Sequence, residues 1–163
     1  MIDRAETTLS EDALAGIQGE LDKYPPDRRQ SALMAALRIA QDEHGWLSSE
    51  LIEHVADIVR VPAVRAYEVA TFYSMYDLDP VGRHKIEVCT NISCMLRGCD
   101  RVVDHLKKRL GIGFNQTTAD GKFTLREVEC LAACAGAPMM LVGHDYYEDL
   151  DEDKIDRILE GLE

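Results

Sequence analysis

The sequence predicts an α/β fold in which a bundle of helices precedes a small unit of strands and helices. Apolar residues at helical spacing fill the first half, and from about residue 81 extended segments alternate with helical ones. All five cysteines lie in this second part, and both groups of them begin where a predicted strand ends. We therefore expect two domains, a helical bundle at residues 1–80 and an α/β domain at residues 81–163.

Four short helices are predicted in the first half, each from a start signal and from its apolar spacing. The start signals are Ser10, the prolines of "YPPD", Ser48 and Pro62. The apolar faces of the first two helices comprise Leu14, Ile17 and Leu21, then Leu33, Leu37 and Ala40, with Gly45 as the stop of the second. Helices this short cannot each bury a face alone, so we expect them to pack on one another.

The second half reads as strand, helix, strand, strand, helix. The five segments are "HKIEVC", "RVVDHLKKRLG", "DGKFTLREVEC", "PMMLVG" and "DEDKIDRILEGL". The first alternates apolar and polar residues and ends at Cys89, and the third becomes extended and ends at Cys130. This order of elements predicts a small α/β unit.

Composition and charge restrict the possible functions. A formal net charge of −12 argues against nucleic-acid binding, because phosphate contacts require Lys and Arg. No apolar run approaches the ~18 residues of a membrane span. The acidic start "MIDRAETTLSED" has neither a secretory nor a transit pattern, so we expect the chain to stay where it is made or to arrive already trimmed. Thiols stay reduced in such a compartment, and clustered cysteines there indicate metal ligands before disulfides.

The cysteine spacing indicates a metal centre. Cys89 and Cys94 enclose four residues, and Cys130 and Cys134 enclose three, so two loops each offer two thiolates. Thiolate selects zinc, Cu(I) or iron–sulfur clusters. Structural zinc sites commonly use tighter two-residue knuckles, whereas a [2Fe–2S] cluster tolerates wider loops. The spacing favours the cluster and leaves two alternatives open: a zinc-stabilised interaction adaptor, and a dithiol oxidoreductase, which is disfavoured because no Cys-x-x-Cys motif exists.

The remaining cysteine, Cys99, is predicted to be a bystander. It lies five residues beyond Cys94, about a turn into the following helix. If that helix begins at Cys94, five residues rotate roughly 500°, or about 140° net, and Cys99 points away from its neighbour.

Four stretches of the chain resemble a known family. They are "CTNISC", "DGKFTLREVECLAACAGAPMM", "YPPDRRQSALMAALRIAQDEHGWLS" and "ATFYSMY". From about Tyr24 onward the sequence is similar to the small iron–sulfur subunit of the NADH-oxidising module of respiratory complex I, an NADH:quinone oxidoreductase. Equivalent subunits of NAD-linked hydrogenases and formate dehydrogenases look alike, and such a parent complex is the alternative.

The resemblance implies a fold, a cofactor and a partner. The fold is a thioredoxin-like ferredoxin domain preceded by an N-terminal helical bundle. The cofactor is one [2Fe–2S] cluster, with Cys89, Cys94, Cys130 and Cys134 as its ligands. The partner is a flavoprotein subunit that carries FMN, the NADH site and a 4Fe–4S cluster, and with whose FMN this chain would exchange single electrons.

The resemblance also implies that this chain has no NADH or quinone site of its own. The only dense glycine stretch, "LGIGF", lacks the third glycine of a dinucleotide fingerprint and follows a helix instead of a strand. The expected location is cytoplasmic, peripheral to the inner membrane through the larger complex, without direct insertion.

Two residues near the second cysteine pair carry specific expectations. Ala132 stands where the family usually has glycine. We expect that this position does not need a positive φ, that the cluster still assembles, and that a shifted reduction potential is the consequence. Pro138 in "GAPMM" enters a strand close to Cys134, where thioredoxin-like folds often place a cis proline, and we expect a cis peptide bond there.

The aromatic residues of the first half have two interpretations. Trp46, Phe72, Tyr73 and Tyr76 could form a partner surface or pack between the helices. Packing in the core is the expectation, because large aromatic side chains are usually buried.

Overall fold

The computed structural model describes residues 8–162, and these divide into two units between Pro80 and Val81. In the described part of the first unit, each α-helix packs on the next along the chain. The helices are α1 (Glu11–Leu21), α2 (Leu33–His44), α3 (Ser49–Val59) and α4 (Ala63–Phe72), with a 3-10 helix at Pro26–Ala32. The predicted helical bundle is therefore present.

Two of the predicted helix starts are N-caps. The Ser10 side chain accepts a hydrogen bond from the Ala13 N–H at 3.1 Å, and the Ser48 side chain accepts one from the Leu51 N–H at 3.2 Å. Such caps satisfy amide groups that the first turn of a helix leaves without partners. At the other end of α2, Gly45 is left-handed with φ 82°, as its predicted role as a stop requires.

The first unit has its own apolar core, to which all four helices contribute. Ile17, Leu37 and Val55 lie at its centre and are fully buried. The predicted face of α1 was wrong at one position, because Leu14 is 39% exposed and Ala13 is buried beside Ile17 and Leu21 instead. The Tyr76 hydroxyl donates a hydrogen bond to the Met34 carbonyl at 2.8 Å and so ties the segment after α4 to α2.

Within the described residues, the second unit contains one mixed sheet in the order β2-β3-β1-β4-β5. Strands β1 and β3 are parallel, and the other neighbouring pairs are antiparallel. The strands are β1 (His84–Cys89), β2 (Gln116–Thr117), β3 (Phe123–Val128), β4 (Met140–Val142) and β5 (Asp145–Tyr147). The helices are α5 (Ile92–Leu96), α6 (Cys99–Leu110) and α7 (Glu152–Gly161), with a 3-10 helix at Cys134–Gly136.

The sheet and two of these helices share one core, in which Ile86, Leu106, Leu125 and Ile155 are fully buried. The predicted α/β class is confirmed. Strands β2 and β5 and helix α5 were not predicted. They have only two, three and five residues, and in β2 both residues are exposed, so they carry too little apolar periodicity to be recognised.

None of the helices in residues 8–162 combines the length and the apolar character that crossing a membrane requires.

Helices α6 and α7 are joined by a charged cluster around Asp156. Its Oδ1 atom lies 2.9 Å from His105 Nε2 and 3.2 Å from Arg109 Nε. The hydrogen bond from His105 is the largest cause that lowers the pKa of Asp156, and Arg109 acts in the same direction. A lowered folded-state pKa means that ionised Asp156 stabilises the folded chain.

We expect Asp156→Asn to lower the urea midpoint of unfolding at pH 7. The contribution of Asp156 is fully present above the ordinary Asp pKa of about 3.9 and is lost as the pH falls through the lower folded-state value. The gap between wild type and variant should therefore close in that acid range. Asp104→Asn on α6 is the control, and an equal effect from both variants would contradict the assignment.

Candidate metal centre

The fold brings the two cysteine loops to one edge of the sheet. Cys89 is the last residue of β1, and Cys130 follows the end of β3 at Val128. These strands are parallel neighbours, and Cys89 is paired with Val128. Since the carboxyl ends of parallel strands meet at the same edge, the loops that follow them lie side by side.

All four predicted cysteines line one cavity of about 90 Å³. Its other lining residues are Asn91, Ser93, Ala132, Ala133 and Met139. The Asn91 side chain caps α5 by accepting a hydrogen bond from the Ile92 N–H at 2.7 Å, and this helix carries Cys94. The local fold of the first loop thus turns Cys94 back toward the end of β1.

The two pairs of thiols differ in exposure. Cys89 and Cys94 are buried, with 4% and 2% of their surfaces exposed, whereas Cys130 and Cys134 are exposed. One end of the cavity therefore lies in the protein interior and the other lies at the surface.

Burial also affects the protonation of Cys94. Burial, followed by the neighbouring Cys89 thiol, raises the pKa of the Cys94 thiol to about 11. The Cys89 thiol donates a weak hydrogen bond to the Glu129 carbonyl, with a distance of 3.8 Å from Sγ to oxygen. Metal ligands must be thiolates, so a metal that binds here displaces protons from these groups.

The second loop turns through a left-handed residue, Ala132, with φ 59°. The expectation that this position does not need a positive φ was wrong. The reason is geometric: only three residues separate Cys130 from Cys134, and the chain must reverse between them for both thiols to line one cavity. The turn directs the Ala132 N–H to Cys130 Sγ at 3.3 Å.

We expect Ala132→Gly to stabilise the protein by up to about 1 kcal/mol, because alanine costs ~1–2 kcal/mol in the left-handed region and part of that gain is offset by the entropy of glycine. Ala133→Gly is the matched control, since Ala133 has a negative φ of −109° and lies outside the left-handed region. That variant should lose about 0.5 kcal/mol. Chemical unfolding of the two variants gives the comparison, and a loss of stability in both would contradict the strain at Ala132.

Cys99 is placed differently from the prediction. Helix α5 ends at Leu96, Gly98 is left-handed with φ 90°, and α6 begins at Cys99 itself. The premise of one helix running from Cys94 through Cys99 was therefore wrong, because glycine breaks it. Cys99 is 1% exposed and packs in the same buried group as Cys89 and Cys94, yet it does not line the cavity.

Sequence reasoning missed Met139, which is fully buried and lines the cavity. It directly follows Pro138, whose peptide bond with Ala137 is cis, as expected. No signal in the sequence places the Met139 side chain at the cysteines, because its position depends on how β4 enters the sheet.

The donor set fits a [2Fe–2S] cluster. Four soft thiol ligands converge on one cavity in two pairs, and each iron of such a cluster takes two protein sulfurs.

Comparison with known proteins shows the family of the chain. The thioredoxin-like [2Fe-2S] ferredoxin family matches residues 17–163, nearly the whole chain. The chain therefore belongs to this family, and the predicted fold is confirmed. The predicted cofactor, a [2Fe–2S] cluster, is the one that defines the family.

Curated relatives specify the resemblance further. The chain is 48% identical to the E subunit of the NADH-quinone oxidoreductase of Rickettsia typhi, over 86% of this chain and 83% of the relative. It is 50% identical to the E 2 subunit of the NADH-quinone oxidoreductase of Rhizobium meliloti, over 90% of this chain and 86% of the relative. The resemblance to this small subunit that the motifs predicted is confirmed.

A solved structure supports the fold alone. The chain superposes on NAD+-reducing [NiFe]-hydrogenase in its air-oxidized state with a TM-score of 0.70 and 23% identity. The match covers 83% of this chain but only 24% of the hydrogenase chain, so this chain spans about a quarter of that protein.

Proposed function

We propose that this chain is the small electron-transfer subunit of an NADH-quinone oxidoreductase and that Cys89, Cys94, Cys130 and Cys134 hold its [2Fe–2S] cluster. The observation that carries the proposal is the convergence of these four thiols, from two loops, on one cavity. The curated relatives, which are 44–50% identical and named as the E subunit of that enzyme, support the choice of parent complex.

Each part of the site has a role on this proposal. The bound cluster supplies one-electron chemistry. The buried pair, Cys89 and Cys94, excludes water from the inner end, and the exposed pair leaves the outer end accessible to a partner. The Ala132 N–H donates to Cys130 Sγ, and such a bond stabilises the additional negative charge that reduction brings.

The proposed partner is the flavoprotein subunit that carries FMN, the NADH site and a 4Fe–4S cluster. This chain exchanges single electrons with that FMN and has no NADH or quinone site. Residues 81–163 form the domain with the cluster, and residues 1–80 form a separate helical domain. The chain lies in the cytoplasm and reaches the inner membrane only through the larger complex.

We expect anaerobically purified protein to contain two irons and two acid-labile sulfides per chain, with visible absorbance, because four thiolates saturate one [2Fe–2S] core. Metal and sulfide analysis measures this directly. One equivalent of zinc without colour would overturn the proposal and support the zinc-stabilised adaptor, and a metal-free native protein with a reactive thiol would support the dithiol oxidoreductase.

A hydrogenase or a formate dehydrogenase as parent complex predicts the same cluster. Co-purification from the native source separates these alternatives, because it identifies the enzyme whose flavoprotein accompanies this chain. NADH should then bleach the visible absorbance of the cluster only when that flavoprotein is present, since this chain is proposed to lack an NADH site.

A further inference from the structure

The first unit exposes two aromatic side chains at the end of α4. Phe72 is 80% exposed and Tyr73 is 40% exposed, and their rings meet edge to face with centroids 5.0 Å apart. The expectation that these residues pack in the core was wrong for both, although it is confirmed for Tyr76, which is 4% exposed. We call Phe72 and Tyr73 the aromatic ridge.

Depressions in the surface adjoin the aromatic ridge. The ridge itself borders a cavity of about 500 Å³, and Thr71 also lines a larger one of about 700 Å³. Trp46, Tyr67 and Leu78 contribute apolar surface to the larger cavity. An exposed aromatic pair beside apolar depressions is typical of a protein–protein contact site, since exposed apolar patches rimmed by polar groups mark such sites.

The charges around these cavities restrict the occupant. Their lining includes Glu43, Glu50 and Glu68, and His44, whose Nε2 lies 3.5 Å from Glu43; among the described residues that line them there is no Lys or Arg. Glu68 is paired with Arg65 at 2.6 Å, and Glu43 accepts hydrogen bonds from the Ser10 N–H and hydroxyl. The acidic character of the rim therefore rests mainly on Glu50. A second copy of this chain, with a net charge of −12, would add like charge to that rim.

We propose that the aromatic ridge docks the flavoprotein subunit, which presents an apolar pocket rimmed by Lys and Arg. This inference rests on the proposed function, which names that partner. A stable interface buries about 800 Å² on each side, and its affinity is concentrated in a few central aromatic residues. Phe72 is such an anchor, because its side chain is 80% exposed and the Tyr73 ring packs edge to face against it.

The test is a binding titration of the full-length, cluster-loaded chain against the purified FMN-containing subunit. Phe72→Ser should raise the dissociation constant ~10-fold or more, because it removes the central anchor. Val64→Ser is the matched control, since Val64 lies on the same helix, is 61% exposed and lines neither cavity. Unchanged circular dichroism and cluster absorbance in both variants show that folding is unaffected.

A second arm tests the charge of the partner. Glu50→Gln should slow association and reduce its dependence on salt, because rim charges mainly steer the encounter. Unchanged rates at all salt concentrations would contradict a basic rim on the partner.

The outcomes are distinct. Equal affinities of Phe72→Ser, Val64→Ser and wild type would overturn the docking site and leave the proposed function intact. A Phe72→Ser variant that alters only self-association would also overturn it, because the occupant would then be a second copy of this chain. If wild type itself does not bind the flavoprotein, the proposed function fails as well.

Discussion

Cys94→Ser is expected to lose most of the iron and sulfide, whereas Cys99→Ser should retain both in full. The two thiols are equally buried, at 2% and 1% exposure, but only Cys94 lines the cavity shared with the other three predicted ligands. A serine hydroxyl is a harder ligand than thiolate, and the buried position gives water little access to replace it. Iron and sulfide per chain, with the visible spectrum, measure the difference.

The pair of variants is informative because burial alone cannot explain a difference between them. A serine at either position places a hydroxyl in an apolar group and can lower stability. Cys99→Ala removes that effect, since alanine is apolar, and it should also retain the full cluster. If the Cys99 variants lose iron while Cys94→Ser keeps it, the ligand set proposed here is wrong.

The position of the cysteine loops could be predicted from the sequence because it depends on local signals. Strand β1 was recognised from its alternating pattern, and both Cys89 and Cys130 were expected at the ends of strands, as the structure has them. Two strands that are parallel neighbours then bring their loops together, whatever the sequence of the loops. Spacing and strand pattern therefore predicted the two loops, and the parallel pairing of β1 with β3, which the sequence did not reveal, brings their four thiols together.

Other features of the site depend on tertiary demands that no local pattern encodes. Ala132 is left-handed because two thiols with only three residues between them must line one cavity, although alanine itself disfavours that conformation. Gly98 separates α5 from α6. The prediction for Cys99 assumed one helix that begins at Cys94, whereas the helix that carries Cys99 begins at Cys99 itself. Propensity is a weak prior that such contacts override.

The aromatic ridge shows a second limit of prediction from the sequence. An aromatic residue at the end of an apolar helix looks the same in sequence whether its own core or another protein covers it. Phe72 and Tyr76 lie four residues apart, yet one is 80% exposed and the other 4%. Tyr76 is held inside by its hydrogen bond to Met34, which comes from a helix distant in sequence.

Gly82, just ahead of β1, is a position at which the structure predicts a large effect that the sequence does not reveal. Its N–H donates to Thr124 Oγ1 at 2.6 Å. A Cβ atom at this position would lie 2.8 Å from the carbonyl carbon and 3.0 Å from the nitrogen of Phe123, both in the backbone of β3. Because β3 pairs with strands on both sides, its backbone cannot easily move away.

Gly82→Ala should therefore lower the free energy of unfolding by roughly 2 kcal/mol, as overpacking against fixed groups does. Gly113→Ala is the control in the same unit, because its Cβ would meet only the Gln116 side chain at 3.4 Å, which can adjust. Urea unfolding of the cluster-loaded chain measures both. Since β1 leads directly into Cys89, a displaced β1 should also reduce cluster content in the Gly82 variant. Equal stability of the two variants would mean that the backbone of β3 moves to accommodate the added methyl group. The contact with Gly82 would then not fix the position of β1.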